Sequence, residues 1–174
     1  MKKINRRGFT LIELLIVMAI ISIIAAVVFV ALDPLRRFRD SRDAARWTDV
    51  SALVSAIKID QVDNGGAYMA PITAMTDNTV YMIIDGTKPA ALNCDASNAA
   101  CGIDVAGPSN CVDLSGLVTD GYLGKVPASP NGAGDWGGVA ANKLSGYTIE
   151  KSATGILTVR ACEAENTGEI KVSR

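Results

Sequence analysis

The chain contains no histidine. That absence removes Ser-His-Asp and Cys-His nucleophilic catalysis, and most zinc sites, in one step. Carboxylate and lysine chemistry stay open, but no GxGxxG, Walker or HExxH pattern accompanies them. Aromatics are scarce at 5% of 174 residues. Clustered basic residues are also missing from the long C-terminal part: residues 63–174 hold 7 Lys and Arg against 12 Asp and Glu. Such a surface is a poor grip for phosphates, so no nucleic acid partner is expected through a basic patch. Glu163 and Glu165, two apart near the C-terminus, fit a solvated strand edge better than an acid–base pair. No catalytic residue and no enzyme activity are expected.

Cysteine is present but unpatterned. Cys94, Cys101, Cys111 and Cys162 include no CxxC pair, and with no histidine a four-thiolate zinc site is unfavoured. An even count behind an export-type N-terminus fits disulfides in an oxidising compartment. Of the three connectivities open to four cysteines, the expected one is Cys94–Cys101, closing a short loop, with Cys111–Cys162 tying a long loop to a late strand.

What the chain has in abundance is one apolar run. From Phe9 to Leu32 a single charged residue, Glu13, interrupts 24 positions. As a helix at about 1.5 Å per residue this run reaches roughly 36 Å, enough to cross a hydrocarbon core of about 30 Å. It is apolar on every side, so it belongs in lipid or inside a bundle. It is too long for the apolar core of an ordinary secretory signal. Lys2, Lys3, Arg6 and Arg7 precede it and bias the N-terminus toward the cytoplasm. Arg36, Arg37 and Arg39 follow it and oppose that bias; the leader is expected to prevail because it meets the membrane first.

Glu13 is the informative residue. A carboxylate in a lipid-embedded helix costs about 2–3 kcal/mol or more and normally has a partner or a task. One reading is local: Thr10-Leu11-Ile12-Glu13 is a capping-box pattern, with Thr10 as N-cap and Glu13 reaching back to a free main-chain N–H. The other comes from the whole segment. A short basic leader ending in Gly8, followed by Phe9-Thr10-Leu11-Ile12-Glu13-Leu14-Leu15 and an unbroken apolar helix, closely resembles the class III signal of type IV prepilins and type II secretion pseudopilins. The resemblance implies cleavage after Gly8 by a prepilin peptidase and N-methylation of the new terminal residue, Phe9. It further implies that Glu13 pairs with the Phe9 amine of a neighbouring subunit during assembly. The expected partners are copies of the chain and other pilins in a helical filament, the peptidase, an inner-membrane assembly platform and membrane lipid. The expected location is the inner membrane, as a single-pass precursor with its head outside the cytoplasm, and then a pilus or pseudopilus.

The expected organisation is a leader over residues 1–8, a hydrophobic helix over 9–34, an amphipathic helix over 35–63 and a head over 64–174. Pro34 forbids regular helix geometry just before it and marks either a kink or the point where the helix leaves the membrane. Residues 35–62 lack Gly and Pro. Val50, Leu53, Val54 and Ile57 recur at helical spacing, with Trp47 one turn earlier, and form a stripe for packing the head. Residues 36–46 read as a polar stem, with local pairs such as Arg39–Asp43 and contacts to anionic headgroups or acidic neighbours. Asp63-Asn64-Gly65-Gly66 ends the helix.

In the head, Thr79–Ile84 reads as a strand and 85–112 as a loop. Asp113–Val118 reads as a short helical turn. Gly146–Lys151 and Gly155–Cys162 form a hairpin with one buried face, and Glu169–Val172 adds an edge strand. The expected fold is α+β, a long N-terminal helix laid on a small antiparallel sheet as in pilins. Tyr122–Pro130 resembles a segment preceding the last hairpin of pilin heads, but Ser129 stands where an acid is common. Asp135 and Asn131, beside Trp136, offer oxygens without EF-hand spacing, so no cofactor is expected and structural calcium is weakly indicated. The alternatives to a pilus subunit are a secretion or DNA-uptake pseudopilin, or an adhesive head displayed on a pilin-type anchor.

Overall fold

The computed structural model describes residues 8–130, 134, 136–137 and 143–174. They form two units, Met1–Phe38 and Arg39–Arg174. The first is dominated by helix α1, Leu11–Leu32, in which no residue is buried. Asp33 then takes a left-handed conformation, φ 37° and ψ 70°, a sparsely populated region for a residue with a Cβ. It precedes Pro34, which disfavours the helical region for its predecessor. Helix α2, Pro34–Asp63, follows. Asp33 serves its first turn too: its carboxylate accepts from the Arg36 N–H at 3.4 Å and its carbonyl from the Arg37 N–H at 3.3 Å.

The second unit is a helix packed on a five-stranded, mostly antiparallel sheet, the pilin-like α+β arrangement. The strands are β1 (Val80–Ile84), β2 (Cys111–Asp113), β3 (Leu144–Lys151), β4 (Leu157–Ala161) and β5 (Lys171–Ser173), with short helices α3 (Ala70–Thr73) and α4 (Ser115–Thr119). Their spatial order is β2-β1-β3-β4-β5. The β3–β4 hairpin pairs Tyr147 with Ala161 and Ile149 with Val159. β5 closes one edge against β4. At the other edge β2 runs parallel to β1. This three-residue strand was not expected within the 85–112 loop.

Both faces of the sheet are covered. Val50, Leu53, Val54, Ala56 and Ile57 of α2 share one core with Tyr147, Ile149, Leu157, Val159 and Ile170. Val80, Met82 and Ile84 of β1 point the other way, into a second core with Leu92, Cys94, Val105, Trp136 and Leu144. This explains why β1 reads Val-Tyr-Met-Ile-Ile without polar alternation, as strands covered on both sides do. Gly146, at φ 76°, lies where an added Cβ would stand 2.7 Å from the Trp136 ring; that clash and the positive φ both require glycine.

The cover of the second face corrects the expected disulfides. The structure pairs Cys94 with Cys111 and Cys101 with Cys162, at sequence separations of 17 and 61. Main-chain bonds bring these partners together. Cys94 N–H donates to Pro108 O at 3.2 Å, at the entry to β2, and Gly102 N–H donates to Cys162 O at 2.8 Å, at the exit of β4. Between them the 3-10 turn Asn98–Ala100 is pinned by the Asn98 side-chain amide, whose Nδ2 donates to Val105 O and whose Oδ1 accepts from the Val105 N–H, both at 3.0 Å. That turn directs Cys101 to the end of β4 and away from Cys94.

Trp47 also departs from its expected place. It is 40% exposed, whereas Val50, Leu53, Val54 and Ile57 are at most 2% exposed. At about 100° per residue it lies at the margin of the buried face, whose centre at that level is Arg46.

Candidate functional site: the N-terminal helix end and the charged lock

Two clusters carry the chemistry of this chain. The first is the start of α1. Gly8 is exposed, with nothing within 4 Å of where a Cβ would stand. Phe9 is 84% exposed. Thr10 is the N-cap, in extended geometry, and a capping box forms. Glu13 N–H donates to Thr10 Oγ1 at 3.3 Å, and Glu13 Oε2 accepts from the Thr10 N–H at 2.8 Å and its hydroxyl at 2.7 Å. The local reading of Glu13 is therefore realised within one chain. It leaves Oε1 without a hydrogen bond among the described residues, and it uses the amide of Thr10, not that of Phe9. By length and composition the helix starting here can cross a membrane.

The second cluster is where sequence reading missed most. Residues 36–46 do not form a uniform solvated stem, since Asp43 and Arg46 are buried at 3% and 0% exposure. Arg46 uses all five of its N–H donors. Nε donates to Ser129 Oγ at 3.0 Å. Nη1 donates to Asp43 at 2.9 Å and Glu165 at 2.8 Å. Nη2 donates to Pro130 O at 3.0 Å and Glu163 at 3.1 Å. Ser129, at the position where an acid was looked for, is thus an acceptor for a buried guanidinium.

Asp43 accepts in turn from the main-chain N–H groups of Glu165, Asn166 and Thr167, at 3.1, 2.9 and 3.3 Å. Burial opposes its charge, but these bonds and that from Arg46 outweigh it and hold its pKa below the ordinary carboxylate value. Glu165 is held at about 2, first by its bidentate bond from Arg42 and then by Arg46. Glu163, 7% exposed, accepts from Trp136 Nε1 at 3.2 Å and from the Gly134 N–H. The expected solvated edge at Glu163 and Glu165 is therefore corrected: both acids face an arginine in the interior. The expected Arg39–Asp43 pair is not formed, because Asp43 turns toward Arg46. Nearby, the Tyr147 hydroxyl donates to Asp49 at 2.6 Å, and burial raises its pKa well above the usual phenol range.

This arrangement does mechanical work: it fixes the 163–167 segment and Pro130 to α2. The usable signal was positional. Stepping back four and then three residues from Val50 along the stripe lands on Arg46 and Asp43. Asp135 and Asn131, the oxygens considered for calcium, lie outside the described residues.

Residues 3–29 match the family model of the prokaryotic N-terminal methylation motif. The match covers residues 3–8 of the leader and most of α1, and none of the head. Comparisons with curated proteins and with solved structures return no match. The matched motif is the class III signal of type IV pilin-like proteins. It supports processing by a prepilin peptidase, a membrane-anchored precursor and assembly with other pilins, and it points to a structural protein.

Proposed function

We propose that this chain is a structural subunit of a type IV pilus-like filament, cut after Gly8, methylated on Phe9 and polymerised through its N-terminal helix. The observation that carries the reading is α1 itself: 22 residues, none buried in its own chain. Burying an apolar side chain is worth about 1.5–3 kcal/mol, so a helix this exposed is built for lipid or for other helices. Lipid is as apolar as a bundle of such helices, so the transfer between them is near neutral. Packing and polar pairing then set the register.

Glu13 supplies that pairing. Cleavage after Gly8 converts the Phe9 amide to an ammonium in an apolar setting, where an unpaired charge is costly. Glu13 Oε1 is the acceptor it offers to a neighbouring copy, while Oε2 keeps its cap on Thr10. The leader, hydrophobic helix, amphipathic helix and head then divide the chain at residues 8, 34 and 63, with Asp33-Pro34 relieving the helix between its two environments. The inner membrane holds the precursor, and an assembly platform lifts it into the filament.

The test is Glu13→Ala. Membrane insertion should persist, because a costly intramembrane charge is removed, while recovered filament should fall at least about ten-fold, the equivalent of losing ~1.4 kcal/mol per added subunit. Normal filament yield from the variant refutes the role given to Glu13.

A further inference from the structure

A cleft of about 1020 Å³ opens to solvent in the second unit. It is lined by Arg39 and Arg42 of α2, by residues 99–103, and by the end of β4 with the segment that follows. These parts are tied to one another. The Cys101–Cys162 disulfide and the Gly102 N–H bond to Cys162 O at 2.8 Å join the 99–103 segment to β4. Arg42 holds Glu165 through Nε at 2.7 Å and through Nη2. The cleft is therefore preorganised, which lowers the cost of binding.

Three carboxylates and three guanidiniums line it, and they are not equally engaged. All six carboxylate oxygens have donors: Glu163 from Trp136, Gly134 and Arg46, Glu165 from Arg42 and Arg46, and Glu169 from Arg160 and Lys171. The guanidiniums keep donors free. Among the described residues Arg42 Nη1 and Arg160 Nη2 have no acceptor. Arg39 is exposed and has no ion pair among them. Asp43 turns to Arg46, and Asp40 accepts from the Asn166 amide at 2.8 Å. A guanidinium has five donors and no acceptor, so what the cleft lacks is acceptor oxygens.

Among the described residues no aromatic ring lines the cleft, which disfavours flat ligands that bind by stacking. Between the charges the lining is aliphatic, with Ala99, Ala100, Ile103, Ala161 and Ala164. Ligand pockets run to about 1,000 Å³, and a cleft of that size far exceeds one inorganic anion. We propose that it binds an acidic peptide segment, with Arg39 taking an Asp or Glu carboxylate and Arg42 and Arg160 supplying further donors. A guanidinium and a carboxylate pair through two parallel bonds, which fixes orientation as well as charge. The proposal goes beyond the filament reading and stands without it.

The test uses the full chain in dodecyl maltoside micelles and a fluorescein-labelled tetraglutamate peptide, with binding read as anisotropy at about 0.15 M NaCl. Saturable binding is expected. A tetraglutamine peptide should bind at least about ten-fold more weakly, since bonds to charged groups are the stronger ones. Arg39→Ala should raise the midpoint at least about ten-fold, because the carboxylate loses its bidentate partner. Arg39→Lys should fall between parent and Arg39→Ala, as a point charge without the fork. Both variants should keep the parent Tm, because an exposed, unpaired side chain contributes little to the fold. Arg37→Ala, an exposed arginine outside the lining, should leave the midpoint within about two-fold. Absence of saturable binding overturns the proposal. So does an equal effect of Arg37→Ala and Arg39→Ala, which means diffuse attraction to basic charge. Displacement of the peptide by an equal concentration of inorganic phosphate reduces the cleft to a bare anion site and overturns the peptide assignment.

Discussion

Arg46 shows how a charged residue can serve as core. It sits at a stripe position of α2 with 0% exposure, and its guanidinium meets three carboxylates, a hydroxyl and a carbonyl. Removing one partner from a buried ion cluster leaves the others unpaired and costs about 3–5 kcal/mol. Arg46→Ala should therefore lower the unfolding free energy of the head by that amount, read as the urea midpoint at constant m-value. A loss below ~1 kcal/mol would contradict the lock. The cluster also sets a pH dependence. Glu165 titrates at about 2 in the fold against 4.5 ordinarily, and Asp43 is shifted the same way. Their contribution is fully present above about pH 4.5 and drains away as pH falls toward 2. Urea midpoints measured from pH 6 to pH 2 should fall through that window; a flat profile counts against it. The apolar members of the stripe were readable because aliphatic residues recur at helical spacing. Asp43 and Arg46 occupy the same face and were not read as buried, because a charge is placed inside only when tertiary partners exist, and the partners of Arg46 outside its own helix lie 83 to 119 residues away.

At the scale of elements, the two long helices and the β3–β4 hairpin were legible, since each is specified by contiguous residues: a capping box, an apolar run, alternation across a turn; the short α3 was not. β2 and the disulfides were not. β2 has three residues, and its identity comes from the neighbour it pairs with. The cysteine pairing depends on where the 3-10 turn and the main-chain bonds at Pro108 and Cys162 direct the loop. The Cys101–Cys162 bridge closes the longer loop and ties the cover of the second core to the end of β4. Replacing both cysteines by serine should cost about 2–5 kcal/mol of stability. Peptide mapping without reduction should recover 94 linked to 111 and 101 linked to 162; a peptide joining 94 to 101 would overturn the assignment.

For the whole molecule, the division of labour follows from burial. Two cores and a charged lock hold residues 39–174 together, whereas no residue of α1 is buried. A chain with such a helix needs either a bilayer or copies of itself. In the function proposed above, removal of the basic leader at the Gly8-Phe9 junction sets when it passes from one to the other. The measurement that bears most directly on this is the intact mass of the chain recovered from a purified filament pellet. The expected species begins at Phe9, carries one added methyl group, and is four hydrogens lighter than the fully reduced chain for its two disulfides. A pellet devoid of the chain, or a native chain still beginning at Met1, would contradict the account.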